Sequence, residues 1–398
     1  MTLQNIINMD KDYYMNVYGD RTKTCFTYGK GMYLWDLDNK KYVDFLGGIA
    51  VNVLGHSHPN LTIALKTQVD KLLHTSSLYY IESQAKLAKK LAENTCADKV
   101  FFCNSGAEAN EGAIKLAKIY FKKKNQPQKY EIITLVNSFH GRTLTTVAAT
   151  GQEKYQKPYA PLIPGFKHVL MNDINALKEA ISHATCAIML EPIQGESGVN
   201  IVDQAYLAEV KQLCDKHDLL LIFDEVQTGI GRTGKLFGYE HTPVEPDIFT
   251  LAKALGGGVP IGAVCAKEEV AKAFEPGDHG TTFGGNPLSC TAGLAVMDTI
   301  FQDGLLQNAV EMGAYFKEKL QTLKDKYPII KEVRGIGLMI GLEFNQPIAK
   351  DLMHKLFENG FLVGAVGTSV LRFLPPLIVK ASDIDALIEK LALVVSTE

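Results

Sequence analysis

The chain has 398 residues, 46% hydrophobic and 21% charged, with a net charge of −3. That length supports a large core and more than one domain, and the composition is that of an ordinary globular protein. No basic stripe points to nucleic acid, no apolar run approaches a membrane span, and the amino terminus lacks the basic-then-apolar pattern of a signal peptide, so a cytoplasmic protein is expected. The cysteines, at 25, 96, 103, 186, 214, 265 and 290, form no CxxC pair. They read as reduced, mostly buried small hydrophobes.

Residues 29–46 read as two short strands joined at Asp38-Asn39-Lys40, a hairpin in an N-terminal arm spanning 1–47. His56 and His58 follow in a glycine–proline turn ahead of a helix near Asn60 to Leu73. No third ligand stands at metal-site spacing, so no metal is expected. Residues 84–95 have the spacing of an amphipathic helix. Val100 to Cys103 reads as a buried strand running into Asn104-Ser105-Gly106-Ala107 and then a helix through Ile114, Leu116, Ala117 and Tyr120. A strand, a turn of small residues and a helix start make an anion site, because free N–H groups and the helix dipole point at a phosphate. Ser105 serves equally as a plain helix cap.

Glu131 to Val136 is the next strand, and its end loop carries Phe139, His140 and Arg142. An aromatic and an arginine there fit ring stacking and carboxylate capture. Another apolar strand, Cys186 to Leu190, ends in Glu191-Pro192, followed by a loop with Glu196. Leu219 to Phe223 is fully apolar, as in a strand buried on both faces, and ends in Asp224 and Glu225. Asp247 to Ala252 ends in Lys253 and runs into Gly256-Gly257-Gly258. Ligands of open α/β sheets sit outside the carboxyl ends of the strands, so this pattern puts a carboxylate and an amine on one rim. A desolvated lysine loses its proton easily and attacks carbonyls, and a buried aspartate suits a pyridinium nitrogen. A buried ion pair serving structure alone fits the stretch equally well.

The alternation of strands and helices from about 100 to 265 predicts a mostly parallel sheet with helices on both faces, in a large domain over 48–298. The glycine-rich hydroxyl loop His279–Asn286 belongs to it. One helix is expected near 288–324. Short strands at 338–344, 361–363 and 370–374, with a helix at 349–358, predict a smaller α+β domain over 299–398, which holds Arg334 and Arg372. Ser382 to Asp385 reads as a capping box opening the last helix.

Taken in order, GHSHP, NSGAEANE, FHGRT, EPIQGESG, FDEVQTGIGRTG, AKALGGG, GTTFGGNPL and VRGIGLMIG span nearly the whole chain. Together they resemble the class III (ornithine-type) aminotransferases of the fold-type-I pyridoxal-phosphate enzymes. The resemblance implies an α/β fold-type-I transferase with one pyridoxal 5'-phosphate per subunit, held as a Schiff base on Lys253. Asp224 would pair with the pyridine nitrogen and Gln227 would lie near the phenolic oxygen. Phe139 and Val226 would press on the two ring faces, and Glu225 would be a further cofactor-binding residue beside them. Ser105 and the N–H groups of Gly106 and Ala107 would take the phosphate. Thr282 would reach it from a second subunit, which makes a homodimer part of the mechanism. Arg142, with Thr281 alongside, would bind the carboxylate remote from the reacting amine. Arg372 would take the α-carboxylate of glutamate, and Glu196 would pair with Arg372 when the other donor is bound.

There are departures. Position 107 is Ala where many members have Thr, which removes one hydroxyl from the phosphate site. Gly48 stands where ornithine δ-aminotransferases resemble one another in carrying a tyrosine, and a glycine leaves room for an acyl group. The expected small-molecule partners are therefore N2-acetyl-L-ornithine, 2-oxoglutarate and L-glutamate. Ornithine, 4-aminobutyrate, N-succinylornithine and N-succinyl-diaminopimelate are rival donors, and a pyridoxal-phosphate-binding regulatory protein is the rival outside catalysis.

Overall fold

At the centre of the computed structural model, which describes residues 1–398, is a seven-stranded sheet. Its strands lie side by side in the order Lys99–Cys103, Gly262–Ala266, Ile248–Leu251, Leu220–Asp224, Thr185–Leu190, Glu131–Leu135 and Phe166–Val169. Six run in one direction. Only Gly262–Ala266 is reversed, antiparallel to both neighbours. The reason is the length of its connection: residues 252–261 hold one 3₁₀ turn, too little chain for a helical crossover back to the same sheet end. The alternation expected from the sequence therefore breaks at the last strand.

Leu220 to Asp224 is buried along its whole length. Leu221 and Phe223 enter the larger apolar core, and Leu220 and Ile222 the smaller one on the opposite face. A period of two with both sides apolar is what a strand covered by helices on each face requires.

The arm forms a three-stranded meander, Phe26–Lys30, Tyr33–Asp36 and Lys41–Asp44. The expected hairpin is its second half, turning through Asn39 with φ +61°. Phe361–Leu362 adds to this sheet in parallel, tying the arm to the C-terminal region. That region has its own antiparallel sheet, ordered Ile330–Ile336, Met339–Phe344, Val370–Phe373 and Gly364–Val366. Ile330–Ile336 escapes the sequence reading because it is an edge strand that exposes Lys331 and Glu332. The helix expected over 288–324 is two, Pro287–Gln302 and Leu305–Lys326, separated at Asp303-Gly304. The last helix opens at Ala381, one residue before the expected cap, with Asp383 accepting the Lys380 N–H at 3.1 Å.

His56 Nε2 pairs with Asp44 at 2.8 Å, and His58 Nε2 lies 3.8 Å from Asp303. All seven cysteines are free, and no helix is long and apolar enough to cross a membrane.

Candidate active site

Five strand ends converge on one crevice of about 400 Å³. Asn104 to Ala107 follow the strand 99–103, Phe139 to Arg142 follow 131–135, and Glu191 follows 185–190. Asp224 closes 220–224 and Lys253 follows 248–251; all of these line the cavity. The crevice sits at the carboxyl edge of the parallel strands, where the sheet leaves main-chain groups and side chains free to converge.

Asp224 is the most tightly held group in the crevice. Its Oδ2 accepts from Asn110 Nδ2 at 2.7 Å and meets His140 Nδ1 at 2.8 Å, and its Oδ1 accepts the Val226 N–H at 3.1 Å. Asn110 is oriented without ambiguity. Its amide nitrogen donates to Asp224 and to the His140 carbonyl, while its oxygen accepts from the Thr250 hydroxyl at 2.7 Å. Flipping the amide would set its oxygen against two acceptors. His140 Nε2 is buried and has no partner.

Lys253 faces this network with a free amine: its Nζ has neither an ion pair nor a hydrogen bond, and its backbone is left-handed at φ +40°. Burial pulls its ammonium below the ordinary lysine value, and the nearby Arg372 charge works in the same direction against Glu196, Asp224 and Glu191. Glu191 is pushed well above the usual carboxylate range, first by burial and then by Asp224; its one hydrogen bond is from the Phe139 N–H at 2.9 Å. Burial thus favours the protonated form of Glu191, and the lysine gives up its proton more readily than a surface lysine.

The helix Gly106–Lys123 starts on the cavity wall. Ser105 caps it, accepting the Glu108 N–H at 3.2 Å, and the N–H groups of Gly106 and Ala107 are left without acceptors. Gly106 is needed for a steric reason. A Cβ there would lie 2.8 Å from Val226 Cγ1, the side chain that forms the adjoining wall. Two free N–H groups at the positive end of a five-turn helix make a phosphate cradle. An acid fixed by three contacts stands on the floor, and an unpaired amine opposite. These residues fit pyridoxal phosphate, by phosphate cradle, pyridine-nitrogen partner and carbonyl-reactive amine together.

A second device lies beside Lys253. Arg372, 4% exposed, gives its Nη1 to Glu196 at 2.7 Å, the Gly195 carbonyl at 2.9 Å and Gln227 Oε1 at 3.3 Å, while its Nε has no partner. Gln227 Nε2 closes the set by donating to Glu196 at 3.0 Å. Burial raises the Glu196 carboxyl, but Arg372 and Lys253 outweigh it and leave it below the ordinary value. Arg142, at the exposed mouth, has no carboxylate partner; its guanidinium lies over the rings of Tyr155 and Phe139.

The structure separates some residues that the resemblance groups together. Glu225 turns away from the crevice, because successive strand side chains alternate faces. Its carboxylate instead accepts from Thr228, from the Gly238 N–H at 2.8 Å and from the Tyr239 N–H at 2.7 Å. Burial drives it up to about 7 against those three donors. Gln227 lines the cavity but is committed to the Glu196–Arg372 set. Thr281 and Thr282 lie outside the cavity lining of a single chain: Thr281 Oγ1 accepts from Asn104 Nδ2 at 3.2 Å, and Thr282 is exposed. Gly48 does not line the cavity either. Its φ of +63° favours glycine, and a Cβ there would sit 3.1 Å from Asn52 Nδ2, so this glycine has a backbone reason unrelated to any donor.

Sequence reasoning missed Asn110 and Glu191 among the cavity-lining residues, and Tyr155 under the Arg142 guanidinium. Asn110 carried a signal, an amide on the apolar stripe of Ala109, Ala113, Ile114 and Ala117. Glu191 was visible only as a strand end, and Tyr155 carried no signal.

Comparison with known proteins agrees with this geometry. The family model described as aminotransferase class-III matches residues 14–395. An acetylornithine aminotransferase of Methanocaldococcus jannaschii is 56% identical over 393 residues, covering 98% of each chain. One of Caldanaerobacter subterraneus subsp. tengcongensis is 53% identical over 380 residues, covering 96% of each. Among solved structures, the ornithine aminotransferase of Toxoplasma gondii ME49 superposes with a TM-score of 0.95 at 33% identity, covering 100% of this chain and 96% of that one. The acetylornithine aminotransferase of Elizabethkingia anophelis gives 0.89 at 33% identity with both chains fully covered. The fold is thus shared by enzymes named for either donor.

Proposed function

The chain belongs to the class III aminotransferases, and on that premise we propose that it moves the δ-amine of N2-acetyl-L-ornithine to 2-oxoglutarate. The products are N-acetyl-L-glutamate 5-semialdehyde and L-glutamate, a step of arginine biosynthesis. Enzymes of this family are pyridoxal-phosphate-dependent transaminases acting on small molecules. The donor follows the activity named for relatives that share more than half of their residues with this chain. The observation that carries the chemistry is the unpaired Lys253 amine set opposite the triply held Asp224, with two free N–H groups beside them.

When bound, pyridoxal phosphate supplies an electron sink that lets a carbon–hydrogen bond beside nitrogen break. Gly106 and Ala107 would donate their N–H groups to its phosphate, with Ser105 holding the helix start in place. Asp224 would keep the pyridine nitrogen protonated, and Asn110 and His140 hold Asp224. Lys253 Nζ would hold the cofactor through its aldehyde carbon. When not holding the cofactor, Lys253 Nζ would take the proton lost from the donor's δ-carbon, and burial helps by favouring the unprotonated amine that can accept it. Phe139 and Val226 wall the ring position and exclude water. Arg142 binds the donor's carboxylate, far from the reacting amine.

Two substrates share the site through Arg372. With the acetylated donor in place only methylenes face that arginine, and an unpaired guanidinium there is costly, so Glu196 stays bound to it. Glutamate brings its own α-carboxylate, and Glu196 gives way. A homodimer completes the site, with Thr282 crossing from the second subunit.

The deciding measurement follows the absorption of the lysine-bound cofactor as each donor is added without keto acid. A second-order constant for N2-acetyl-L-ornithine well above those for ornithine, N-succinylornithine and 4-aminobutyrate is expected. Preference for any of the others would replace the donor named here.

A further inference from the structure

We propose that Tyr155 is the positioning residue that presents Arg142 to the donor's carboxylate, an inference that rests on the donor reading above. The Arg142 guanidinium carbon lies 4.1 Å from the centre of the Tyr155 ring and 5.6 Å from that of Phe139. No carboxylate of the chain pairs with it, so the ring is its main contact. A guanidinium lying on an aromatic face has its broad side occupied and its N–H fork open, the geometry that grips two carboxylate oxygens at once.

The platform is fixed to the loop it serves. Tyr155 meets Phe139 edge-on, centroids 5.5 Å apart at 73°. Gln152, one turn before it and 8% exposed, donates to the carbonyls of Asn137 at 3.2 Å and Ser138 at 3.1 Å. Gln156, just after it, donates to the Thr150 carbonyl at 2.7 Å. The segment bearing Tyr155 and the loop bearing Phe139 and Arg142 are therefore tied together through Gln152. Lys154 Nζ approaches the same ring at 4.8 Å, but it is an exposed side chain outside the cavity. A long arginine left to wander would have to be ordered afresh at each binding event, and the ring removes that cost.

The test compares Tyr155→Leu and Tyr155→Phe with the unaltered enzyme on two donors. One is N2-acetyl-L-ornithine; the other is N-acetylputrescine, the same molecule without its carboxylate. Tyr155→Leu should raise KM for N2-acetyl-L-ornithine about tenfold at little-changed kcat, and Tyr155→Phe, which keeps the ring face, should stay within about twofold. For N-acetylputrescine all three proteins should have the same kcat/KM. Equal losses on both donors, or an unchanged KM in Tyr155→Leu, would overturn the proposal. If the unaltered enzyme does not use N2-acetyl-L-ornithine, the donor reading fails instead. The same split between its preferred carboxylate donor and the decarboxylated analogue then decides the role of Tyr155.

Discussion

Lys253 and Arg372 illustrate how much of this chemistry depends on single side chains whose partners come from distant segments. Lys253→Ala should keep the fold, read as an unchanged thermal unfolding curve, while losing transamination and the absorption of the lysine-bound cofactor. A fully active variant would remove Lys253 from the mechanism. Arg372→Ala should slow the glutamate half-reaction roughly 30-fold or more, the usual cost of deleting a hydrogen-bonded partner from a buried charge, and the acetylornithine half-reaction much less. Equal losses would show that Glu196 and Arg372 do not form a substrate switch. Glu225 makes a pH prediction. Its folded value of about 7 lies above the ordinary 4.5, so the folded chain holds a proton that the unfolded chain has released. Its stabilising contribution is present below about pH 4.5 and lost as pH rises through 7, roughly 3 kcal/mol over the window. Glu225→Gln should therefore lose less stability than the parent between those values in urea titrations, and parallel curves would refute it.

At the scale of elements, the start of the helix Gly106–Lys123 is the part most sensitive to volume. Gly106→Ala places a methyl against Val226 at 2.8 Å, and neither the helix start nor the strand end beyond Asp224 can retreat without disturbing the crevice. The variant should be destabilised by about 1–3 kcal/mol, the range for an overpacked core, and should release cofactor more readily. Equilibrium dialysis of the cofactor against parent and variant reads this, and equal retention would mean that Val226 swings clear. The strand ends themselves explain why the crevice is where it is. Four parallel strands and the edge strand 99–103 end at one level, so loops of unrelated sequence meet there.

The whole molecule exposes an apolar surface that one chain does not use. Leu78, Tyr79, Tyr80 and Phe283 are all more than half exposed, and Phe283 joins the segment through His74, their rings 5.5 Å apart. Exposed apolar side chains of this kind are what the proposed homodimer would cover, and Thr282 stands beside Phe283 in the sequence. The double variant Tyr80→Asp, Phe283→Asp should sediment as a monomer and hold the cofactor more weakly. A monomer with undiminished cofactor affinity would exclude any contribution from Thr282 across the interface.

The linear chain by itself determined the strands 99–103, 131–135, 185–190, 220–224 and 248–251, because apolar runs bounded by polar turns have few other solutions. It also determined that Asp224, Lys253 and the Ser105–Ala107 turn stand at strand ends, since each follows such a run directly. The tertiary structure alone decided which side chains meet. Glu225 is adjacent to Asp224 in sequence but faces the other way, because strand side chains alternate. Asn110 and His140 reach Asp224 from two other segments. The reversed strand 262–266 and the edge strand 330–336 were settled by connection length and by neighbours rather than by their own residues. Tyr155 gained its place on Arg142 because Gln152 binds the start of its short helix to a loop some fifteen residues earlier in the chain. Propensity and pattern act within a few residues along the chain, whereas a site is made of contacts between segments far apart in it.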